Sequence, residues 1–238
     1  MGLVQNPIIA ALDVPTAEAA LALAGQLAPV VGALKIGSEL FTSAGPEVVR
    51  RIHATGAPVF LDLKLHDIPN TVAKAVAAAT RLNAHMLTIH ASGGLEMMQA
   101  AEAAAQATAR QLGCKPPLVL GVTVLTSLGS AELREIGVPG GAAKQVERLA
   151  RLAVKAGLRG LVCSPLEVAA LRRIVPADVQ LVTPGIRGAS DAATDQKRTL
   201  GAKEALTAGA DWVVIGRPIY AAGNPRAAAE KILESIQP

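Results

Sequence analysis

The sequence predicts an α/β fold, a single-domain (β/α)8 or TIM barrel spanning residues 1–238, and three observations lead there. Eight short apolar runs rich in β-branched residues recur along the 238-residue chain. Most are separated by Ala-rich segments with helical spacing, and no linker-like or low-complexity stretch divides the chain. Near-continuous apolar strands alternating with amphipathic helices imply a parallel sheet covered by helices, and eight such units in this length close into a barrel.

The predicted strands, in order, are Ile8–Val14, Ala33–Ser38, Pro58–Leu65, Met86–His90, Leu118–Leu125, Gly160–Ser164, Gln180–Thr183 and Trp212–Ile215. Between them the apolar period changes from two to 3.6. Val146, Leu149, Ala150 and Ala153 form an i, i+3, i+4, i+7 stripe, and Ala229, Ile232, Leu233 and Ile236 form another. The second follows Asn224 and Pro225, a helix N-cap and a favoured first helical residue. A doubly wound sheet is the structural alternative. The first strand is not followed by the Gly-x-Gly-x-x-Gly turn of a dinucleotide fold, which argues against it.

Composition narrows the function classes. Aromatic residues make up 2% of the chain, so Ala, Val, Leu and Ile must fill the core. The formal charge of +4 comes from Lys and Arg scattered along the chain rather than gathered in runs. A nucleic-acid surface is therefore not expected, whereas a small anionic ligand needs only a few well-placed bases. The longest uncharged stretches are interrupted by Pro, Gly or hydroxyl residues and fall short of a membrane span, so no membrane partner is expected. The N-terminus lacks the basic region and hydrophobic segment of a secretory signal. Cys114 and Cys163 belong to no CxxC pattern and are read as buried free thiols in a reducing cytoplasm. His53, His85 and His90 show no ligand spacing with carboxylates or Cys, so no metal site is expected.

The chemistry concentrates in Asp62-Leu-Lys-Leu-His-Asp-Ile-Pro-Asn-Thr71, which carries charges on and just beyond the end of the third apolar run. Residues two apart in a strand share a face, so Asp62 and Lys64 occupy one environment made apolar by Phe60 and its neighbours. Desolvated charges persist there only when paired. The pair is either a structural ion pair or a site arranged for proton transfer. A barrel of this kind holds its site at the carboxyl ends of the strands. Asp13, Lys35, Asp62, Lys64, Thr126, Arg187, Gly216 and Arg217 all fall at such ends. Gly216-Arg217 after the eighth run and Pro184-Gly-Ile-Arg187 after the seventh read as a phosphate cradle, with backbone amides at glycine and paired guanidinium donors.

These segments, with Ala11-Leu-Asp13, Lys35-Ile-Gly37 and Thr123-Val-Leu-Thr-Ser127, resemble the bacterial type of the orotidine 5'-phosphate decarboxylase family, from the first strand to the last. The resemblance implies removal of CO2 from orotidine 5'-phosphate to give uridine 5'-phosphate, with no cofactor, in a homodimer. It implies that Lys35, Asp62, Lys64 and Asp67 form an alternating charged network in which Lys64 stabilises and protonates C6 of the pyrimidine. Asp67, Ile68 and Thr71 would act across the dimer interface. Asp13 and Lys35 would bind ribose hydroxyls, Thr126 would sit against the pyrimidine, and Arg187, Gln196, Gly216 and Arg217 would bind phosphate. Leu63, Leu65, His66, Pro69, Asn70 and Pro184 are carried along as substrate-binding positions of the matching motifs. His66 is expected to position the loop rather than to act in the reaction. The segment 188–197, small and polar, has the composition of a lid.

Three rivals share parts of this pattern. A metal-dependent sugar-phosphate decarboxylase or aldolase has the Asp-x-Lys-x-x-Asp core, but the tail His66-Asp-Ile-Pro-Asn-Thr71 argues against it. A phosphate-binding barrel isomerase would share Gly216-Arg217 without needing Lys64 between two Asp residues. A nucleotide-binding regulatory barrel would not need the whole set of charges.

Overall fold

The computed structural model describes residues 6–186 and 200–237. Eight parallel strands, β1 (Ile8–Ala11), β2 (Ala33–Gly37), β3 (Val59–Leu65), β4 (Met86–His90), β5 (Leu118–Val122), β6 (Gly160–Val162), β7 (Gln180–Thr183) and β8 (Trp212–Ile215), close into a barrel in sequence order. The seam is the β1–β8 pairing, Ile9 opposite Val214. All eight predicted strands are present. Four end early: β1 stops at Ala11 rather than Val14, β2 at Gly37 rather than Ser38, β5 at Val122 rather than Leu125, and β6 at Val162 rather than Ser164. The apolar pattern runs on past β1, β5 and β6 because Leu12, Val124 and Cys163 stay buried as the chain turns over the barrel mouth.

Alternation along each strand divides the apolar residues into two layers. Ile9, Ala33, Phe60, Met86, Leu120, Val182 and Trp212 fill the barrel interior. Ile8, Leu34, Ile36, Val59, Leu61, Leu87, Val119 and Leu161 point outward into a larger layer shared with the helices. Those helices are α1 (Ala17–Leu27), α2 (Ser38–Ala44), α3 (Glu47–His53), α4 (Pro69–Arg81), α5 (Leu95–Leu112), α6 (Ser130–Glu135), α7 (Gly141–Lys155), α8 (Val168–Arg172), α9 (Ala202–Thr207), α10 (Arg217–Tyr220) and α11 (Pro225–Ile236). The Val146–Ala153 stripe is wholly buried on α7. Burying each Val or Leu side chain of that stripe is worth about 1.5–3 kcal/mol relative to exposure. α11 starts as its sequence requires: the Asn224 side-chain oxygen accepts from the Ala227 amide at 3.0 Å, with Pro225 next. No helix among the described residues is long and apolar enough to cross a membrane.

Small residues sit where elements crowd. A Cβ on Gly121 would lie 3.1 Å from the Leu158 side chain and 3.3 Å from Ala153, so glycine lets α7 approach β5 closely. Arg172 ties the barrel's amino end together by donating to the carbonyls of Gly209 and Val179, both at 2.7 Å, and to the Asp211 carboxylate. One expectation fails. Cys163 is buried, but Cys114 is exposed, because it follows Gly113, whose left-handed backbone (φ 66°) ends α5 and turns the chain outward.

Candidate active site

The interior face of β2 reads Ala33, Lys35, Gly37, and that of β3 reads Phe60, Asp62, Lys64, so each strand changes from apolar to charged as it nears the carboxyl end. The charges meet in a row. Lys35 Nζ lies 2.9 Å from Asp13 Oδ1 and 3.8 Å from Asp62 Oδ2, and Lys64 Nζ lies 2.9 Å from both Asp62 oxygens. Signs therefore alternate Asp13, Lys35, Asp62, Lys64. Burial is greatest in the middle: the side chains of Lys35 and Asp62 are 10% and 13% exposed, those of Lys64 and Asp13 36% and 44%. Each inner charge has an opposite charge on both sides, which offsets its desolvation.

Two further features hold the row in place. Thr88 on β4 donates its hydroxyl proton to Asp62 Oδ1 at 2.9 Å and accepts from the Lys64 backbone amide, also at 2.9 Å. It thus fixes both Asp62 and the backbone carrying Lys64. That backbone is left-handed, with φ 50°. A non-glycine residue there is disfavoured by roughly 1–2 kcal/mol. The β3–β4 register shifts at the same place: Leu61 pairs with Leu87 but Leu65 with Ile89, so four residues of β3 advance against two of β4. The bulge lets the strand extend Lys64 over the barrel mouth. Gly37 completes the fit, since a Cβ there would press on Asp13 Oδ1 and Lys35 Nζ, both at 3.2 Å.

The row borders a cavity of about 260 Å³ at the carboxyl end. Asp13, Lys35, Asp62, Lys64, Thr126 and Pro184 line it, as do Val122, Val162, Val182 and Val214, which the sequence did not single out for the site. One polar side and one apolar side suit a ring-bearing polar ligand. Gly216 borders Asp13. A Cβ on it would find only ordinary contacts of 3.5–3.7 Å, so packing does not demand glycine, and the open backbone is free to approach a ligand. Arg217 opens α10 directly after it. Arg187 and Gln196, the other expected phosphate ligands, and the whole of the lid segment 188–197 lie outside the described residues.

The rest of the ten-residue segment leaves this cavity. Leu63 and Leu65 alternate outward and pack on the core shared with the helices. Asp67 is exposed, and its Oδ1 accepts from the next amide, that of Ile68, at 2.6 Å. Within one chain it takes no part in the charged row. Ile68 is 67% exposed, and Asn70 and Thr71 are exposed beyond Pro69, the first residue of α4. His66 is exposed too, its ring centroid 5.3 Å from that of His90. Burial, then the neighbouring His66 and Lys64, push the His90 pKa below its usual value, with Asp62 pulling the other way. Among the described residues, no three His, Cys, Asp or Glu side chains gather as a metal site.

A parallel eight-stranded barrel with fixed, alternating carboxylates and ammonium groups at its carboxyl end belongs to the class of barrels that stabilise and move charge on a small ligand. The model of the orotidine 5'-phosphate decarboxylase / HUMPS family matches residues 6–232. The chain is 52% identical over 230 residues to the orotidine 5'-phosphate decarboxylase of Opitutus terrae, covering 97% of this chain and 98% of that one. It is 50% identical over 236 residues to the enzyme of the same name from Pseudomonas fluorescens, covering 99% and 100%. The crystal structure of orotidine 5'-phosphate decarboxylase from Lactobacillus acidophilus superposes with a TM-score of 0.88 at 37% identity, covering 98% of this chain and all of that one. The chain belongs to the orotidine 5'-phosphate decarboxylase family.

Proposed function

We propose that the protein converts orotidine 5'-phosphate to uridine 5'-phosphate and CO2, the last step of de novo pyrimidine nucleotide synthesis, as a cofactor-independent cytoplasmic homodimer. The observation that carries this reading is the placement of Lys64. Its ammonium is held by both Asp62 oxygens at 2.9 Å, at the edge of a cavity whose apolar wall includes Val122, Val162, Val182 and Val214.

The reaction breaks the bond between C6 and the carboxylate. CO2 departs, the electron pair stays on C6, and no ring position readily delocalises it. Lys64 stabilises that pair and then donates its proton to C6, leaving a neutral amine that is reprotonated from solvent. Because the row keeps the ammonium in place beforehand, little reorganisation is needed as charge develops.

In this reading Asp67 of the second subunit completes the row as Asp13-Lys35-Asp62-Lys64-Asp67. Its exposed position, with no ion pair to any described residue of its own chain, supports that role. Ile68 and Thr71 would reach the same substrate from across the interface. Asp13 and Lys35 bind ribose hydroxyls, and Thr126 faces the pyrimidine. Arg187, Gln196, Gly216 and Arg217 bind the phosphate, whose binding energy is available for closing the site. Leu63 and Leu65 support the bulged strand from behind, while His66, Pro69 and Asn70 shape the loop that carries Asp67.

The test is to add orotidine 5'-phosphate to the purified protein in excess EDTA and follow the ultraviolet absorbance change to uridine 5'-phosphate. Rapid conversion is expected. Absence of conversion by folded protein, with magnesium-dependent turnover of a keto-sugar phosphate, would instead identify the sugar-phosphate rival.

A further inference from the structure

The amino ends of the strands carry a second cavity, about 620 Å³ in volume. It is larger than the one at the carboxyl end and is built from turns the decarboxylation reading does not use. His53 ends α3, and His85, Lys115, Arg159 and Asp178 precede β4, β5, β6 and β7. Two basic side chains and two imidazoles therefore line the cavity together with a single carboxylate. Neither Lys115 nor Arg159 forms an ion pair within 4.0 Å with any described residue.

The floor adds directed donors. Trp212 donates its indole N–H to Gln180 Oε1 at 2.8 Å, which orients the amide and leaves the Gln180 NH2 without a protein acceptor among the described residues. Asn83 is held left-handed (φ 58°) and contacts His53 Nε2 at 2.7 Å. With the Asn83 amide as donor, the imidazole proton lies on Nδ1. Burial and then the Lys115 charge lower the His85 pKa, so a cation bears on this imidazole without a neutralising anion. The other ionisable groups lining the cavity with His85 are Lys115, whose charge acts on it, and His53, Arg159 and Asp178.

We infer that this amino-end cavity binds a compact polyanion, of the diphosphate or tricarboxylate class, through Lys115, Arg159 and the Gln180 amide, with His53 and His85 at its edge. Charged oxygens would pair the two free cations, and a cavity of this volume holds a ligand of metabolite size.

The test is to titrate the whole protein with inorganic pyrophosphate, and separately with citrate, while recording the imidazole NMR resonances of His53 and His85. The His85 resonance is expected to move toward its protonated position as the anion offsets Lys115. The doubly substituted Lys115→Gln/Arg159→Gln protein is expected to bind about tenfold or more weakly, having lost two charge-assisted contacts. Asp178→Asn is expected to bind about threefold more tightly through loss of the opposing charge. These residues lie outside the carboxyl-end site, so decarboxylation by the variants should stay at the wild-type level without added anion. Both imidazoles remaining still up to roughly 10 mM of either anion, or equal affinity in the wild-type and doubly substituted proteins, would overturn the inference.

Discussion

The two ends of the barrel treat charge in opposite ways. At the carboxyl end, Asp13, Lys35, Asp62 and Lys64 spend their charges on one another, bonded at 2.9 Å on either side of a 3.8 Å step. At the amino end, Lys115 and Arg159 stand around a larger opening without an ionic partner among the described residues. Charges already bonded in a row hold their position whether or not a ligand is present, which a developing carbanion requires. Charges left apart in solvent need a ligand to organise them. In the readings proposed above, one end reacts and the other binds.

The sharpest way to break this contrast is Lys64→Ala. Loss of both the cation and the proton donor should lower kcat by at least about 10⁴-fold, while uridine 5'-phosphate still binds measurably by calorimetry. Substitutions of Lys115 and Arg159 should leave kcat/KM within about twofold, as expected for charges remote from the reacting atoms. Next in size is complementation. Lys64→Ala and Asp67→Ala chains, each inactive alone, should on equal mixing and subunit exchange regain about a quarter of wild-type activity. Half the dimers are then mixed, and each has one intact site. Failure to regain any activity would remove Asp67 from the partner's row.

Thr88→Val sharpens the comparison further, since it leaves every charge in place and removes only the hydroxyl that serves both Asp62 and the Lys64 amide. A loss of about 1–3 kcal/mol in denaturant unfolding is expected, with a fall in kcat of about tenfold and a smaller change in KM. The smallest effect concerns pH. His90 has its folded pKa below the usual 6.5, so just below that pH the unfolded chain binds more protons than the folded one. Stability is therefore present above about pH 6.5 and lost as pH falls. His85 contributes with the same sign from the other end. His90→Asn should flatten, without abolishing, the decline in Tm between about pH 7 and 5.

Much of this was legible in the sequence, for reasons that differ by residue. The eight strands announced themselves because a parallel barrel buries both faces, which leaves unbroken apolar runs. Their ends did not, because Leu12, Val124 and Cys163 are as buried in the turns as in the strands. Asp62 and Lys64 stood out because a charge in an apolar strand must find a partner. Thr88 passed unnoticed, since threonine is common in strands and nothing in Met86-Leu-Thr-Ile-His90 shows where its hydroxyl points. The left-handed turn at Lys64 has no sequence signal at all. Lysine is not a residue that favours it, and only the register slip against β4 shows why it is there. The exposure of Cys114 runs against a thiol's preference for the interior because the left-handed turn at Gly113 carries the chain outward.

The backbone at Lys64 also sets an order of replacement that runs against ordinary β-strand preference. Glycine is among the costliest residues inside a strand, yet at φ 50° it is the small residue that escapes the steric penalty alanine keeps. A chain shortened to glycine there sheds strain and the ammonium together, leaving a relaxed strand with a vacancy the size of a small alkylamine. If Lys64 acts as proposed, position 64 is where stability and catalysis pull furthest apart, and an amine supplied from solution should stand in for the missing side chain.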